Sequence, residues 1–360
     1  MGYSILHDYN IISSPNCQGD LRQLVDVDSS GRIRDWHGKK ISNSLLAAAY
    51  DSVNPDKAAR LRECSTMLSF RVYGDGSRKL DSINSCRVRL CPICSWRRSL
   101  KCYHNTRSIM DYLDLQGKYG YIFVTLTMRN CHSDDLDYHL RSIYRGWSRF
   151  TQLKRFKSAV CGWYRGIEVT HDTEEFISRE RYGKNPRYYS NRGLYIADKN
   201  PNFDTYHPHI HCIFVVRKSY FNSRYYISQR DFADMWRQSL RLDYDPVVDV
   251  RKVKGDCARA VAEISKYAVK SVDYIIPDDW NLTVDTVRTL DSALAGKRLY
   301  AYGGCMRTVH KNLNLDDAED CSDLAHLNPD EFADDVDYRI VNYFWHNGYR
   351  QYVSSDDYVI

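Results

Sequence analysis

The run Tyr206-His207-Pro208-His209-Ile210-His211-Cys212-Ile213-Phe214-Val215-Val216 sets histidines at alternate positions and passes straight into apolar residues. Alternate side chains of a strand share one face. His209 and His211 therefore project together from one pleated surface while Ile210 points into a core. A chain built around this segment carries a metal site with its orientation already set.

The neighbouring pattern supplies a sheet for that strand. Tyr121–Met128 is β-branched and aromatic, lies between Gly120 and Asn130, and reads as a central strand. A helix from about Asp135 to Lys157 follows, then a strand over Gly162–Thr170 and a polar insertion from about Asp172 to Asp204. Beyond the histidines, Ser228 to Leu240 is amphipathic with Ser228 as its N-cap, and Val247–Val253 is a further strand. A second amphipathic helix spans about Asp256 to Tyr274. Upstream, a helical stretch passes through Cys64 into the strand Met67–Tyr73, Gly74-Asp75-Gly76 turns the chain, and a basic helix begins at Trp96. Residues 1–55 read as a poorly specified leader or accessory element.

At 360 residues and 43% hydrophobic content the chain has ample material for a core. No apolar run approaches the roughly 20 residues of a membrane helix, and no secretory leader precedes the first elements. A cytoplasmic protein with no membrane partner is the expectation. The net charge of +5 hides an asymmetry, because Asp316–Asp337 holds ten acidic residues and no Lys or Arg. That stretch reads as a solvated tail. The more positive remainder, with 29 tyrosines, favours a polyanionic partner.

Two residue sets point to metals. Imidazole alone does not name an ion, but Glu168 on a neighbouring strand adds an oxygen ligand and leaves coordination positions open for a phosphate, as Mg²⁺ or Mn²⁺ chemistry needs. His207 is a third alternating histidine that can replace one ligand or support the others. Separately, Cys91-Pro92-Ile93-Cys94 is a CxxC knuckle with Cys86 five positions earlier, a pattern for tetrahedral Zn²⁺. Cys64 is the best fourth ligand, with Cys102 and His104 as competitors. The remaining cysteines, Cys17, Cys131, Cys161, Cys212, Cys257 and Cys305, read as buried thiols.

Glu263, Tyr267 and Lys270 fall on one face of the second amphipathic helix. A phenol is a poor nucleophile at neutral pH, its pKa being about 10. A polarised phosphate and a nearby cation make its attack feasible, and Glu263 is placed to activate a water.

From roughly Arg60 to Leu324 the chain resembles the rolling-circle replication initiators of small bacterial plasmids, within the HUH endonuclease superfamily. The resemblance rests on Cys86 through Lys101, Phe123-Val124-Thr125-Leu126-Thr127, Gly166-Ile167-Glu168-Val169-Thr170 and His207-Pro208-His209-Ile210-His211. It continues through Asp243–Val250, Glu263–Lys270 and Gly296–Gly304, all in the family's order. It implies an α+β fold with a central antiparallel sheet flanked by helices, an N-terminal zinc-binding module over 56–115, a nickase domain over 116–276 and a C-terminal accessory region over 277–360. It also implies that Tyr267 attacks a DNA phosphodiester at the origin, keeps the 5′-phosphate as a tyrosyl ester and frees a 3′-hydroxyl. Glu263 would serve the closing step. The implied partners are single-stranded or cruciform origin DNA, a host helicase and a DNA polymerase, and a second copy in a homodimer. Arg97, Arg98 and Lys101 on the basic helix, and Arg187, Tyr188 and Tyr189 in the insertion, are the candidate DNA contacts. Thr125 and Thr127 are expected to shape the sheet, and His171 to be a local variation. A relaxase or transposase of the same superfamily, or a zinc-containing DNA-binding regulator without catalysis, are the rival readings.

Overall fold

The computed structural model describes residues 22–28, 31–253, 261, 273–320, 323–327 and 337–354. Strands β4 (Tyr119–Thr127), β5 (Val160–Asp172), β6 (Thr205–Arg217), β7 (Val248–Lys252) and β8 (Tyr300–Gly304) form one sheet in the order β7-β4-β6-β5-β8. Every pairing is antiparallel. The histidine strand β6 is thus the middle of the sheet, and the expected α+β architecture with a central antiparallel sheet is present.

The period of two sorts the side chains of β6 onto two faces. Phe214 packs with Trp147, Phe150 and Phe156, whose ring centroids lie 6.2, 6.5 and 5.2 Å away. These rings belong to α4 (Leu136–Gln152) and α5 (Lys154–Ala159), and α8 (Gln229–Leu240) adds Phe232 and Trp236. Ser228 caps α8 as expected, in a reciprocal capping box with Asp231. Gly146 eases the close approach of α4 and α8, since a Cβ there would lie 2.5 Å from Leu240 Cδ2 and make that side chain shift.

The opposite face receives α3 (Pro92–Asp114). Cys102 Sγ lies 3.0 Å from the Tyr164 hydroxyl of β5, and Thr106 Oγ1 lies 2.8 Å from the Tyr302 hydroxyl of β8. At the other end of this face stand His209 and His211.

A second antiparallel sheet has the order β1-β10-β9-β2-β3, from β1 (Arg22–Gln23), β2 (Met67–Tyr73), β3 (Arg78–Ile83), β9 (Tyr338–His346) and β10 (Gln351–Ser354). The boundaries at 55, 115 and 276 therefore do not separate the sheets: β8 completes the central one, and β9 inserts between β2 and β10. Residues 1–55 are more than a leader. They contain α1 (Trp36–Val53), capped by the Asp35 carboxylate accepting from Gly38 N–H at 2.7 Å, with Leu46, Ala49 and Tyr50 fully buried. Its apolar residues crowd into Leu45-Leu46-Ala47-Ala48-Ala49-Tyr50, so the helical period is hard to see.

The acidic stretch also departs from expectation over its described part. Asp316 pairs with Lys101 at 2.7 Å, Glu319 with Arg89 at 2.7 Å and Asp320 with Arg298 at 3.0 Å. Glu319 further accepts from the backbone N–H groups of Leu299 and Tyr300. It is a docked strap, because buried cations on α3 need partners.

No helix among the described residues is long and apolar enough to cross a membrane. Phe150 sits at the centre of the aromatic layer with no exposed surface. Phe150→Ala is expected to lower the unfolding free energy by about 3–5 kcal/mol in chemical denaturation, from lost burial and the cavity left behind; a loss below about 1 kcal/mol would contradict this packing.

Candidate functional site

The register between β5 and β6 sets Glu168 directly opposite His209, while β4 places Thr127 opposite His209 and Thr125 opposite His211. Glu168 Oε2 consequently lies 3.2 Å from His211 Nε2 and 3.5 Å from His209 Nε2. The two imidazole Nε2 atoms are 3.1 Å apart. Three ligand atoms from two strands converge on one point.

Their other sides are held. His209 Nδ1 is 3.0 Å from the His207 carbonyl, which only accepts, so Nδ1 carries the proton and Nε2 presents its lone pair. His211 Nδ1 is 3.1 Å from Thr125 Oγ1. Thr125 thus holds the ring of His211 from its Nδ1 side. The candidate donors are one carboxylate oxygen and two imidazole nitrogens, half-buried or buried, a set that fits Mg²⁺ or Mn²⁺ with positions left for substrate.

His207 is not among the converging atoms. Its ring stacks on His209 at 5.1 Å and 25°, and burial pushes its pKa down to about 4, so it is neutral at pH 7. Its contribution to the set is the carbonyl that orients His209. His171 is not among the converging residues; it stacks at 4.3 Å on Tyr206 with Nε2 at 2.9 Å from Asp204.

Glu263, Tyr267 and Lys270 lie outside the described residues. On either side of them, Val253 N–H donates to the Tyr121 carbonyl at 3.1 Å and the Asp273 carbonyl lies 3.3 Å from His171 Nδ1.

The second cluster joins Cys64, Cys86, Cys91 and Cys94, all buried. Sγ separations are 3.6 Å for Cys64–Cys91, and 3.7 Å for both Cys64–Cys94 and Cys86–Cys94. A tetrahedron with Zn–S bonds of about 2.3 Å has edges of about 3.8 Å, so the donor set and its spacing fit zinc. Asn43 Nδ2 donates to Cys91 Sγ and Cys86 N–H to Cys64 Sγ, each at 3.4 Å. Hydrogen bonds from the other three thiols hold Cys94 well below the usual thiol range. Cys102 is elsewhere, against Tyr164.

The expected DNA contacts divide. Arg97, Arg98 and Lys101 are buried. Arg97 Nε donates to the Leu324 carbonyl at 2.7 Å, Arg98 reaches the Arg87 carbonyl at 3.3 Å and Lys101 holds Asp316, so the basic helix serves the fold instead of presenting charge. In the insertion, α6 (Arg179–Lys184) and α7 (Pro186–Ser190) bury Tyr189, whose hydroxyl accepts from Arg181 Nε at 2.8 Å. Tyr189 presents almost no surface to solvent here. Arg187 is exposed, and half-buried Tyr188 lies beneath the Arg192 guanidinium at 3.9 Å.

Thr125→Val removes the partner of His211 Nδ1 without changing size much. Binding of added Mn²⁺ is expected to weaken by about tenfold in calorimetric titration; unchanged affinity would show that the hydroxyl does not orient the ligand.

A replication protein family model matches residues 77–353 of this chain. A protein named "Protein rep" from Bacillus amyloliquefaciens is 34% identical over 93% of this chain and 98% of its own length. A "Protein rep" from Streptococcus pneumoniae is 30% identical over 85% of this chain and 88% of its own, and a "Replication protein" from Staphylococcus aureus is 30% identical over 61% and 85%. No solved structure matches. The chain belongs to the replication protein family, as its resemblance to plasmid replication initiators implied.

Proposed function

We propose that the chain is a rolling-circle replication initiator of the HUH type, which nicks and rejoins origin DNA through a covalent tyrosyl intermediate. The observation that carries this reading is the convergence of Glu168 Oε2, His209 Nε2 and His211 Nε2 within 3.5 Å in a member of the replication protein family. A divalent cation held there supplies Lewis-acid polarisation of a phosphodiester oxygen.

The residues of the chain do the rest. Thr125 and the His207 carbonyl keep both Nε2 lone pairs aimed at one point. Tyr267 is assigned as nucleophile by its place in the family's order, with Lys270 favouring its phenolate. Tyr267 gives up its phenolic proton to solvent, the Tyr267 Oη–P bond forms as the P–O3′ bond breaks, and the 3′ oxygen takes a proton from water to leave as a hydroxyl that a polymerase extends. At termination Glu263 is the base that accepts the proton of the water that cleaves the regenerated origin phosphodiester. The 3′-hydroxyl freed by that cleavage then attacks the tyrosyl ester, re-forming the P–O3′ bond as the P–Oη bond breaks and Tyr267 takes back a proton. The substrate is single-stranded or extruded cruciform DNA, and a host helicase and a second copy of the chain are the partners that this role needs. The four thiols hold Zn²⁺ in a structural role, anchoring the start of α3.

Incubated with Mn²⁺ and a labelled single-stranded oligonucleotide from the origin of its replicon, the full-length chain is expected to give a denaturation-resistant protein–DNA band. Tyr267→Phe should abolish it; persistence of the band, or its absence from the wild type, sinks the mechanism. Glu263→Ala should still nick while releasing product more slowly, and equal loss of both steps would remove Glu263 from closure. Elemental analysis should find about one zinc per chain, depleted in Cys94→Ser and retained in Cys102→Ser. Zinc retained by both would place the ion elsewhere.

A further inference from the structure

Beside the metal ligands lies a polar cleft of about 380 Å³ whose lining includes Asn130, Thr170, Glu174, Arg181, Asn202 and His207. That volume suits a small organic guest, such sites running from about 300 to 1,000 Å³. The ring of His207 belongs to the cleft and stacks on His209 at 5.1 Å. The cleft therefore begins one imidazole away from the converging ligand atoms, close enough for a single nucleotide to span both.

Its chemistry selects among guests. Arg181 is taken up by the carboxylates of Asp172 and Glu174, which leaves the walls with one negative charge in excess, so an anion is disfavoured there. Asn130 uses its amide N–H to reach Thr205 Oγ1 at 2.8 Å, and Asn202 places its own 3.4 Å from the Tyr188 hydroxyl. The Oδ1 atoms of Asn130 and Asn202 have no hydrogen-bond partner among the described residues. A flat, uncharged group with donors on its edge meets these carbonyls while its face covers an imidazole. Those are the properties of a nucleobase free of its complement, since side-chain amides pair with base edges and histidine rings stack on unpaired bases.

We infer that the cleft binds one unpaired base next to the phosphate at the metal centre, and that Asn130 and Asn202 read its edge. This rests on the DNA-nicking reading of the same site. The insertion between β5 and β6 supplies Glu174, Arg181 and Asn202, so it acts as the outer wall of a specificity pocket.

The test uses the full-length Tyr267→Phe chain with Mn²⁺ and a set of origin oligonucleotides, each with an abasic site at one position within a few nucleotides of the nick. Binding is read by fluorescence anisotropy. One position is expected to be sensitive, its abasic form binding about tenfold more weakly. Adding Asn130→Ala and Asn202→Ala should reduce that penalty to less than about threefold, with the thermal unfolding midpoint unchanged. A penalty of the same size in the double variant, a uniform loss at every position, or no sensitive position overturns the inference. Failure of the nicking reading shows separately, as a wild type that forms no covalent adduct while the binding profile is still measured.

Discussion

The structure depends on the register between β5 and β6. With Glu168 opposite His209, the carboxylate and both imidazoles emerge on one face, and Phe214 opposite Trp163 on the other joins the aromatic layer under α4 and α8. A slip of one residue would turn Glu168 into that apolar layer and put Ile167 or Val169 opposite His209 in its place. The core and the site are thus two faces of one pairing. Packing of Trp147, Phe150 and Phe214 on one face helps to hold the register in which Glu168, His209 and His211 converge on the other.

A second constraint is the satisfaction of buried charge. Lys40 Nζ reaches the carbonyls of Cys64 and Arg62 beneath the thiol cluster, and burial holds its ammonium below the usual lysine range. Arg97 and Lys101 are met by carbonyls and a carboxylate of the 316–327 strap. An ion removed from water without such partners is strongly destabilising. The strap therefore ties α3, the thiol cluster and the edge strand β8 into one body. Its acidic composition reflects this internal duty over the described residues.

Much of the central sheet was legible in the residues. The alternation at His207, His209 and His211, the β-branched run at Tyr121–Met128 and the cap at Ser228 each carry a local signature, and all three elements form as read. The CxxC knuckle announced its cluster for the same reason, since short-range spacing brings its thiols together. What stayed hidden depends on long-range pairing. Thr125 reaches His211 only because β4 lies beside β6, and β9 found β2 across more than 260 positions of sequence. The basic helix misled because Arg and Lys look alike whether they face solvent or a buried carboxylate.

By itself the sequence determined the ligand types, their order and their alternation on a strand, because side-chain chemistry and the two-residue period are local properties. Tertiary structure alone decided which atoms converge: it paired Glu168 with His209, set His207 aside as a supporting carbonyl and stacking ring, and chose Cys64 over Cys102. It also withdrew Arg97, Arg98, Lys101 and Tyr189 from the surface. The reason is physical. Coordination, burial and ion pairing depend on distances between strands and helices far apart in the chain, and those distances exist only once the sheet has taken its register and the core has closed on it.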